Sequence, residues 1–456
     1  MKKTLGKSLV LIISITLLFA CVVPVCGKSL DIPEDVHYIL IDSKTGLVMA
    51  EQNADIQIKP ASLTKILTAI VALENGDLQQ EMTVSNAAVN DIGRGGMNIG
   101  IMAGETGLTL ENMLNVMLIK SANETANIIA ENLAPSRSEF MDIMNERARE
   151  IGAANTYFVN PSGKDTEKED APHVTTARDI AVMARYAMTI PEFRKIVSTE
   201  YYYGMPPSTN KHANGWDPLG LRNTNKFLWY DNTYNYTFEG EEREYTVTGM
   251  KTGYTGAAGN NLVISATGED GMELICVVMH VMHSNKVYSY ASQLLDHGFR
   301  NYSLQKISEQ GQSVKTVIVK EAAGDNNILE LVTETGFEAA LPVGSGIQSI
   351  RTHIEIDSEI KAPIQKGRVL GYIEYKIEDA VLGRINIVAA RQVLRSTEGI
   401  SELTGAQAEE KESQYSYSLL AVLLSLCAFV MIRTVLKRIS RKLKKKRCQQ
   451  QLYRSR

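Results

Sequence analysis

Three short groups of residues in this chain have types and spacing suited to chemistry: Ser62-Leu63-Thr64-Lys65, Ser121-Ala122-Asn123 and Lys251-Thr252-Gly253. A serine hydroxyl is a weak nucleophile at neutral pH and needs a base within hydrogen-bond reach. Residues three apart on a helix share a face, so Lys65 can bring its amine to the Ser62 oxygen. A basic Lys65 must be neutral, a state favoured by partial burial and by a second nearby cation such as Lys251. Ser121 supplies a second hydroxyl able to relay a proton to a leaving nitrogen, and Asn123 an amide able to hold a substrate backbone group. Lys251 and Thr252 offer a cation and a hydroxyl for a substrate carboxylate, while Gly253 lets a substrate backbone approach closely. Alone, each group also reads as something plainer: an exposed helix face, a loop serine with a capping Asn, a turn. All three in this order form the residue kit of a serine acyl-transfer enzyme.

The flanking pattern shows which elements must position these residues. Pro60 opens a helix carrying Lys65, Ile66, Leu67, Ile70, Val71 and Leu73, stopped near Gly76. Ser62 then sits in its first turn, where unpaired N–H groups and the helix dipole favour a developing oxyanion. Thr109 caps a second helix, with Met113, Leu114, Met117 and Leu118 at helical spacing, that ends just before Ser121. A third helix is predicted over Asp179 to Met188. Tyr38 to Ile41 and Leu47 to Ala50 flank Asp42-Ser43-Lys44-Thr45-Gly46 as a hairpin, and Tyr245 to Thr255 reads as an edge strand. Asn261 to Thr267 and Met272 to Val281 are strand-like runs, followed by a closing helix over Val287 to Leu295. Strands at both ends of a helical middle imply a sheet assembled from distant pieces, hence an α+β fold.

The character of the chain shifts near Gly298 to Ser303. Beyond it, Thr316 to Val319, Ile350 to Ile356 and Val369 to Ile373 alternate apolar and polar residues between turn formers such as Pro363 and Gly367, the pattern of a small β-sandwich. About 370 residues between the two ends exceed one ordinary domain, so two cores are expected. The predicted divisions are a signal peptide over 1–27, a catalytic domain over 28–301, a β-rich domain over 302–398, a polar linker over 399–414, a transmembrane helix over 415–436 and a basic cytoplasmic tail over 437–456.

The ends give the expected compartment. Lys2, Lys3 and Lys7 precede an apolar run from Leu9 to Val25, the layout of a secretory signal, with a weaker lipoprotein alternative at Leu17 to Cys21. Tyr417 to Ile432 carries no charge, and with Val435 and Leu436 the span reaches about 20 residues, enough to cross a bilayer; an amphipathic helix lying on the membrane is the alternative. Three of the 48 basic residues precede Lys28 and eleven follow Ile432, while all 52 acidic residues lie between, leaving that part 34 basic residues and a net charge of −18. So acidic an exported part argues against nucleic acid as a partner. The single cysteine between the signal and the membrane span, Cys276 in the run Leu274 to Val278, reads as a buried strand residue. His173 and His280 show no metal-ligand spacing and read as structural.

The chain resembles the low-molecular-mass penicillin-binding proteins, specifically the D-alanyl-D-alanine carboxypeptidases, over nearly its whole length. The three groups extend into blocks similar to that family's: Lys59 to Lys65, Lys120 to Glu124 and Lys251 to Thr255, joined by Asn160-Pro161-Ser162-Gly163, Thr176-Ala177-Arg178-Asp179 and Asn223-Thr224-Asn225. Ala362 to Gly367 resembles its C-terminal β-domain. The resemblance implies Ser62 as the acylated nucleophile, Lys65 as its base, and Ser121 with Lys251 as the proton path to the departing D-alanine. It implies that Asn123 positions the substrate, that Thr252 and Lys251 hold the terminal carboxylate, and that the backbone N–H groups of Ser62 and Tyr254, beside Gly253, form the oxyanion hole. The implied substrate is the D-Ala-D-Ala end of a peptidoglycan stem peptide, with β-lactams as covalent mimics and no metal or cofactor. Glu124 and Lys164 depart from the commoner family residues, and the Tyr-rich stretch 201–245 holds seven of nineteen tyrosines without an assigned role. The alternatives are a serine β-lactamase, for which no convincing Glu-x-x-x-Asn deacylation loop is found between Ser121 and Lys251, a D,D-endopeptidase, and a non-catalytic wall-binding protein, for which the retained Ser62 and Lys65 are unfavourable.

Overall fold

A computed structural model describes residues 30–396, except 94, 166–171, 208–211, 213–215, 217–218, 231–236, 239–240, 243–244, 284 and 325–326. The expected signal peptide, linker, transmembrane helix and basic tail therefore lie outside the described residues. Among the described residues no helix is long and apolar enough to cross a membrane.

The chain divides into two compact units. The first runs through Ser308 and takes in Phe337–His353 and Glu374–Arg384; the second holds Glu309–Gly336, Ile354–Ile373 and the residues from Ile385 on. At the centre of the first lies a five-stranded antiparallel sheet of β1 (His37–Asp42), β2 (Val48–Gln52), β3 (Tyr245–Thr255), β4 (Gly259–Gly268) and β5 (Glu273–Val281), in the order β2-β1-β5-β4-β3. The N-terminal hairpin thus completes a sheet whose other strands begin only at Tyr245, through pairs such as Leu40↔Cys276. β3 is at the edge, as its sequence predicts.

Both faces of this sheet are covered, which is why its strands read as continuous apolar runs. Ile39, Ile41, Val263, Ile275 and Val277 join a core with the helical middle, while Tyr38, Leu40, Leu262, Ile264 and Cys276 point the other way, toward the C-terminal helix. The alternation follows from the period of two along a strand. Cys276 is a fully buried free thiol, as expected.

The helical middle consists of α1 (Thr64–Asn75), α2 (Asn86–Asn90), α3 (Leu110–Ile119), α4 (Asn123–Leu133), α5 (Arg137–Glu150), α6 (Ala177–Ala187) and α7 (Pro191–Val197), with α8 (Lys286–Asn301) closing the unit. α1 runs through the interior, with Ile66, Leu67 and Ile70 fully buried, each side chain contributing about 1.5–3 kcal/mol of transfer free energy. Its start differs from the sequence reading. Ala61 adopts a left-handed φ of 48°, so Ala61–Leu63 forms a short 3₁₀ turn and the α-helix begins only at Thr64. α3 has the predicted cap: the Thr109 hydroxyl accepts from the Asn112 N–H while the Asn112 side chain accepts from the Thr109 N–H. α6 begins two residues earlier than predicted because Thr176 caps it through the Asp179 N–H.

In the C-terminal part, strands Ile350–Ile356 and Val369–Ile377 stand where periodicity predicts them, and Thr316 to Val319 falls largely in strand Ser313–Ile318. Within the second unit, Ser313–Ile318 pairs antiparallel with Ile328–Thr333, which in turn pairs with the strand ending at Ala389. This part is β-rich.

Candidate active site

The three groups converge on one cleft of about 1280 Å³, lined by Ser62, Ser121, Asn123, Thr252, Gly253 and Tyr254 together with Thr224, Lys226, Lys164 and Tyr288. Ser62 arrives on the 3₁₀ turn and Lys65 on the first turn of α1, which puts the Lys65 amine 2.9 Å from the Ser62 hydroxyl. Ala61, immediately before Ser62, holds the left-handed φ of 48°. This geometry requires Gly163, whose φ of 81° and position against Ala61 leave no room for a side chain: a Cβ there would lie 1.8 Å from the Ala61 carbonyl oxygen. Gly253 has a similar function on the opposite wall. A Cβ on it would come within 3.2 Å of the Ser62 nitrogen, so β3 passes flush against the turn bearing the serine.

Ser121 sits just beyond α3 in a left-handed conformation, φ 64°, a strained state of the kind found at functional sites. The Asn123 amide, expected to meet substrate, has partners within the protein. Its oxygen accepts from Lys65 at 2.7 Å and its nitrogen donates to the Ile92 carbonyl at 2.8 Å. The Lys65 nitrogen also lies 2.5 Å from the Ser162 carbonyl oxygen, so three oxygens surround one amine. Ser162 does not stand out in the sequence as a chemical residue, because it acts through its backbone; the surrounding Asn160-Pro161-Ser162-Gly163 block is the signal that points to it. Asn160 shapes that block by accepting from the Ser162 and Gly163 N–H groups.

Lys65 and Lys251 are both almost wholly buried. Burial, reinforced by the charge of Lys251 and opposed by Glu124, drives the Lys65 pKa well below its usual value. Burial alone lowers Lys251 to about 7. The Lys251 amine donates to the Thr252 carbonyl, and the Thr252 hydroxyl donates to Thr224 at 2.7 Å. Glu124 is buried and accepts from the Ile99 N–H at 2.7 Å; desolvation raises its pKa. Tyr254 lines the rim of the cleft with its side chain 67% exposed.

His173 is structural, as read from the sequence. Its Nδ1 accepts from the Val159 N–H at 3.1 Å, leaving the Nε2–H for the Thr64 hydroxyl at 3.3 Å. Burial pushes it down to about 4, so it stays neutral. Lys164 forms an ion pair with Asp91, which also binds Arg137 at 2.7 Å.

A mixed α/β unit presenting a serine hydrogen-bonded to a buried lysine, in a cleft walled by an edge strand, defines a serine-type hydrolase. Residues 32–283 match the D-alanyl-D-alanine carboxypeptidase family, and residues 302–395 match the C-terminal domain of penicillin-binding protein 5. The chain belongs to the D-alanyl-D-alanine carboxypeptidase family. It is 29% identical over 361 residues to the D-alanyl-D-alanine carboxypeptidase DacF of Bacillus subtilis, covering 78% of this chain and 85% of that one. It is 28% identical over 364 residues to the D-alanyl-D-alanine carboxypeptidase DacA of Escherichia coli, covering 78% and 83%. The crystal structure of penicillin-binding protein 5 from Haemophilus influenzae superposes with a TM-score of 0.61 at 26% identity, covering 79% of this chain and 97% of that one. PBP3 of Streptococcus pneumoniae, at 24% identity and a TM-score of 0.64, has the same fold over 78% of this chain and 98% of its own.

Proposed function

We propose that this serine D-Ala-D-Ala carboxypeptidase removes the terminal D-alanine of peptidoglycan stem peptides through an acyl-enzyme on Ser62. The observation that carries the reading is the 2.9 Å hydrogen bond between Ser62 and a lysine whose burial favours the neutral, basic form. Lys65 takes the serine proton as the hydroxyl attacks the carbonyl carbon of the penultimate residue. The oxyanion that forms is met by the backbone N–H groups of Ser62 and Tyr254, a role favoured by the close approach of Gly253 to the Ser62 nitrogen. The proton then passes to the departing D-alanine nitrogen along Ser121 and Lys251. The latter, with a pKa near 7, can exchange a proton at working pH. Thr252 with Lys251 holds the terminal carboxylate, and Asn123, in view of its bond to Lys65, fixes the base as well as the cleft wall. Water completes the cycle by hydrolysing the acyl-enzyme.

β-Lactams acylate the same serine as mimics of the D-Ala-D-Ala end. The domain divisions drawn from the sequence complete the reading: an exported catalytic domain over 28–301, a β-rich domain over 302–398, and a C-terminal span over 415–436 that anchors both at the membrane. The direct test is D-alanine release from a D-Ala-D-Ala pentapeptide by the purified full-length protein. Wild type releases it and Ser62→Ala does not; release by the variant at the wild-type rate would overturn the mechanism.

A further inference from the structure

Away from the serine and its lysines, two histidines meet at one end of the central sheet. His37 opens β1, and His280 is the penultimate residue of β5. A strict period of two would keep their side chains apart, because cross-strand partners share a face and the partner of His37 is Met279. His280 would then point to the opposite side.

A β-bulge removes that separation. Asn260 pairs with Val281 and Leu262 with Val278, so Met279 and His280 together stand opposite the single residue Asn261. Val278 and Val281, three positions apart, both join the core on the side of α8, which leaves His280 as the extra residue between them. It adopts a left-handed φ of 63°, and its N–H donates to the Asn261 side-chain oxygen at 2.8 Å. Bulges re-aim side chains, and a left-handed backbone is costly for a residue with a Cβ. Here the His280 ring comes to stand edge-on to that of His37, with centres 5.6 Å apart and planes at 86°.

The nitrogens of this pair are uncommitted. His37 Nδ1 lies 3.2 Å from the Asn53 carbonyl oxygen, which can only accept, so in the neutral ring Nδ1 carries the proton and Nε2 keeps its lone pair. A backbone carbonyl on the far nitrogen is the support that metal-binding histidines ordinarily have. Among the described residues, neither His37 Nε2 nor the His280 ring has a hydrogen-bond partner. The spacing fits as well. A nitrogen that binds zinc at about 2.0–2.1 Å puts its ring centre about 3.2 Å from the ion, so two imidazoles sharing one ion at about 110–120° have centres about 5.2–5.5 Å apart. The observed separation is within a few tenths of an ångström of that range.

We infer that His37 and His280 form a binding site for one divalent transition-metal ion of the zinc class, which ties the N-terminal hairpin to the bulge of β5. Imidazole suits zinc, copper and nickel, whereas magnesium and calcium take oxygen ligands. No group of three or more His, Cys, Asp or Glu side chains is placed to hold an ion among the described residues, so water fills the remaining positions and the ion is exchangeable. Spacing along the sequence gives His280 no ligand partner, because the partner comes from the other end of the sheet. Neither histidine lines the catalytic cleft, and the carboxypeptidase reading is independent of this site.

The test is calorimetric titration of zinc chloride into the full-length protein, for wild type, His37→Asn and His280→Asn. Asparagine tolerates the left-handed backbone at 280 and keeps a donor for the Asn53 carbonyl at 37. The wild type binds one zinc ion at this pair. Each variant weakens that binding by at least about tenfold, since loss of a partner outside the ligands themselves already costs about 10–100-fold in metal affinity. Saturating zinc also raises the unfolding temperature of the wild type and leaves that of both variants unchanged. A second measurement needs no variant: zinc protects His280 from diethyl pyrocarbonate while the exposed His353 continues to react, as peptide mass mapping reads. Absence of zinc binding by the wild type, an isotherm that either variant leaves unchanged, or equal labelling of His280 with and without zinc would overturn the proposal.

Discussion

Asn123→Asp isolates what makes Lys65 a base. In the native cleft the Lys65 amine has three neutral acceptors, the nearest side chain being the Asn123 amide oxygen at 2.7 Å. Aspartate at that position replaces a neutral acceptor with a carboxylate of nearly the same shape. Coulomb attraction between unit charges about 4 Å apart is roughly 4 kcal/mol at an effective dielectric of 20, and charge-assisted hydrogen bonds yield about 1.5–3 kcal/mol net. The lower range already stabilises the ammonium enough to reduce the neutral fraction of Lys65 by about ten- to a hundredfold. The assay is the second-order rate of acylation by benzylpenicillin as a function of pH, followed by stopped flow. The rising limb moves to higher pH in the variant, the rate at pH 7 falls by that factor, and activity recovers in alkali. Aspartate also loses the donor to the Ile92 carbonyl, at a cost of about 1 kcal/mol in stability that denaturation measures separately. A uniform loss of rate at every pH would refute the reasoning, because it would mean that Asn123 acts on the substrate or the fold and not on the charge of Lys65.

Two further outcomes follow from the same geometry. Gly163→Ala drives a Cβ into the Ala61 carbonyl at a φ of 81°, so it lowers stability by about 1–3 kcal/mol or more and slows acylation together with it, as thermal unfolding and penicillin labelling would show; an unchanged Tm contradicts the close approach. For Lys251, the folded pKa near 7 lies below the ordinary 10.5, so between these values the unfolded chain binds the extra proton and stability rises with pH, by at most about 1.4 kcal/mol per unit. Lys251→Met flattens that rise between pH 7 and 9 in denaturant titrations. The part remaining belongs to Lys65, whose shift has the same sign.

The Ser62–Lys65 pair and the edge strand were legible because side-chain chemistry and period both mark them: Ser62 and Lys65 by their spacing, Tyr245 to Thr255 by its alternation. The hairpin and the late strands could be located individually, and their union into one sheet inferred from order along the chain. Less legible were features set by the backbone. The left-handed Ala61 that delays α1 to Thr64 belongs to a residue type that rarely adopts this conformation, and it is held by Gly163, a hundred residues away. The Ser162 carbonyl on Lys65 leaves no side-chain signal at all. Asn123 was identified as a site residue but its partner was not, because an amide in a helix-start motif reads equally as a cap, a substrate clamp or a support for the base.

The central claim is that Ser62 is the acylated residue and that its acyl-enzyme is reached through Lys65. Mass spectrometry of the full-length protein after brief exposure to benzylpenicillin tests it most directly. The account predicts one penicilloyl group per chain, mapped by peptide digestion to Ser62 and missing from both Ser62→Ala and Lys65→Met. An adduct on any other residue, or one that forms at the wild-type rate without Lys65, would contradict it.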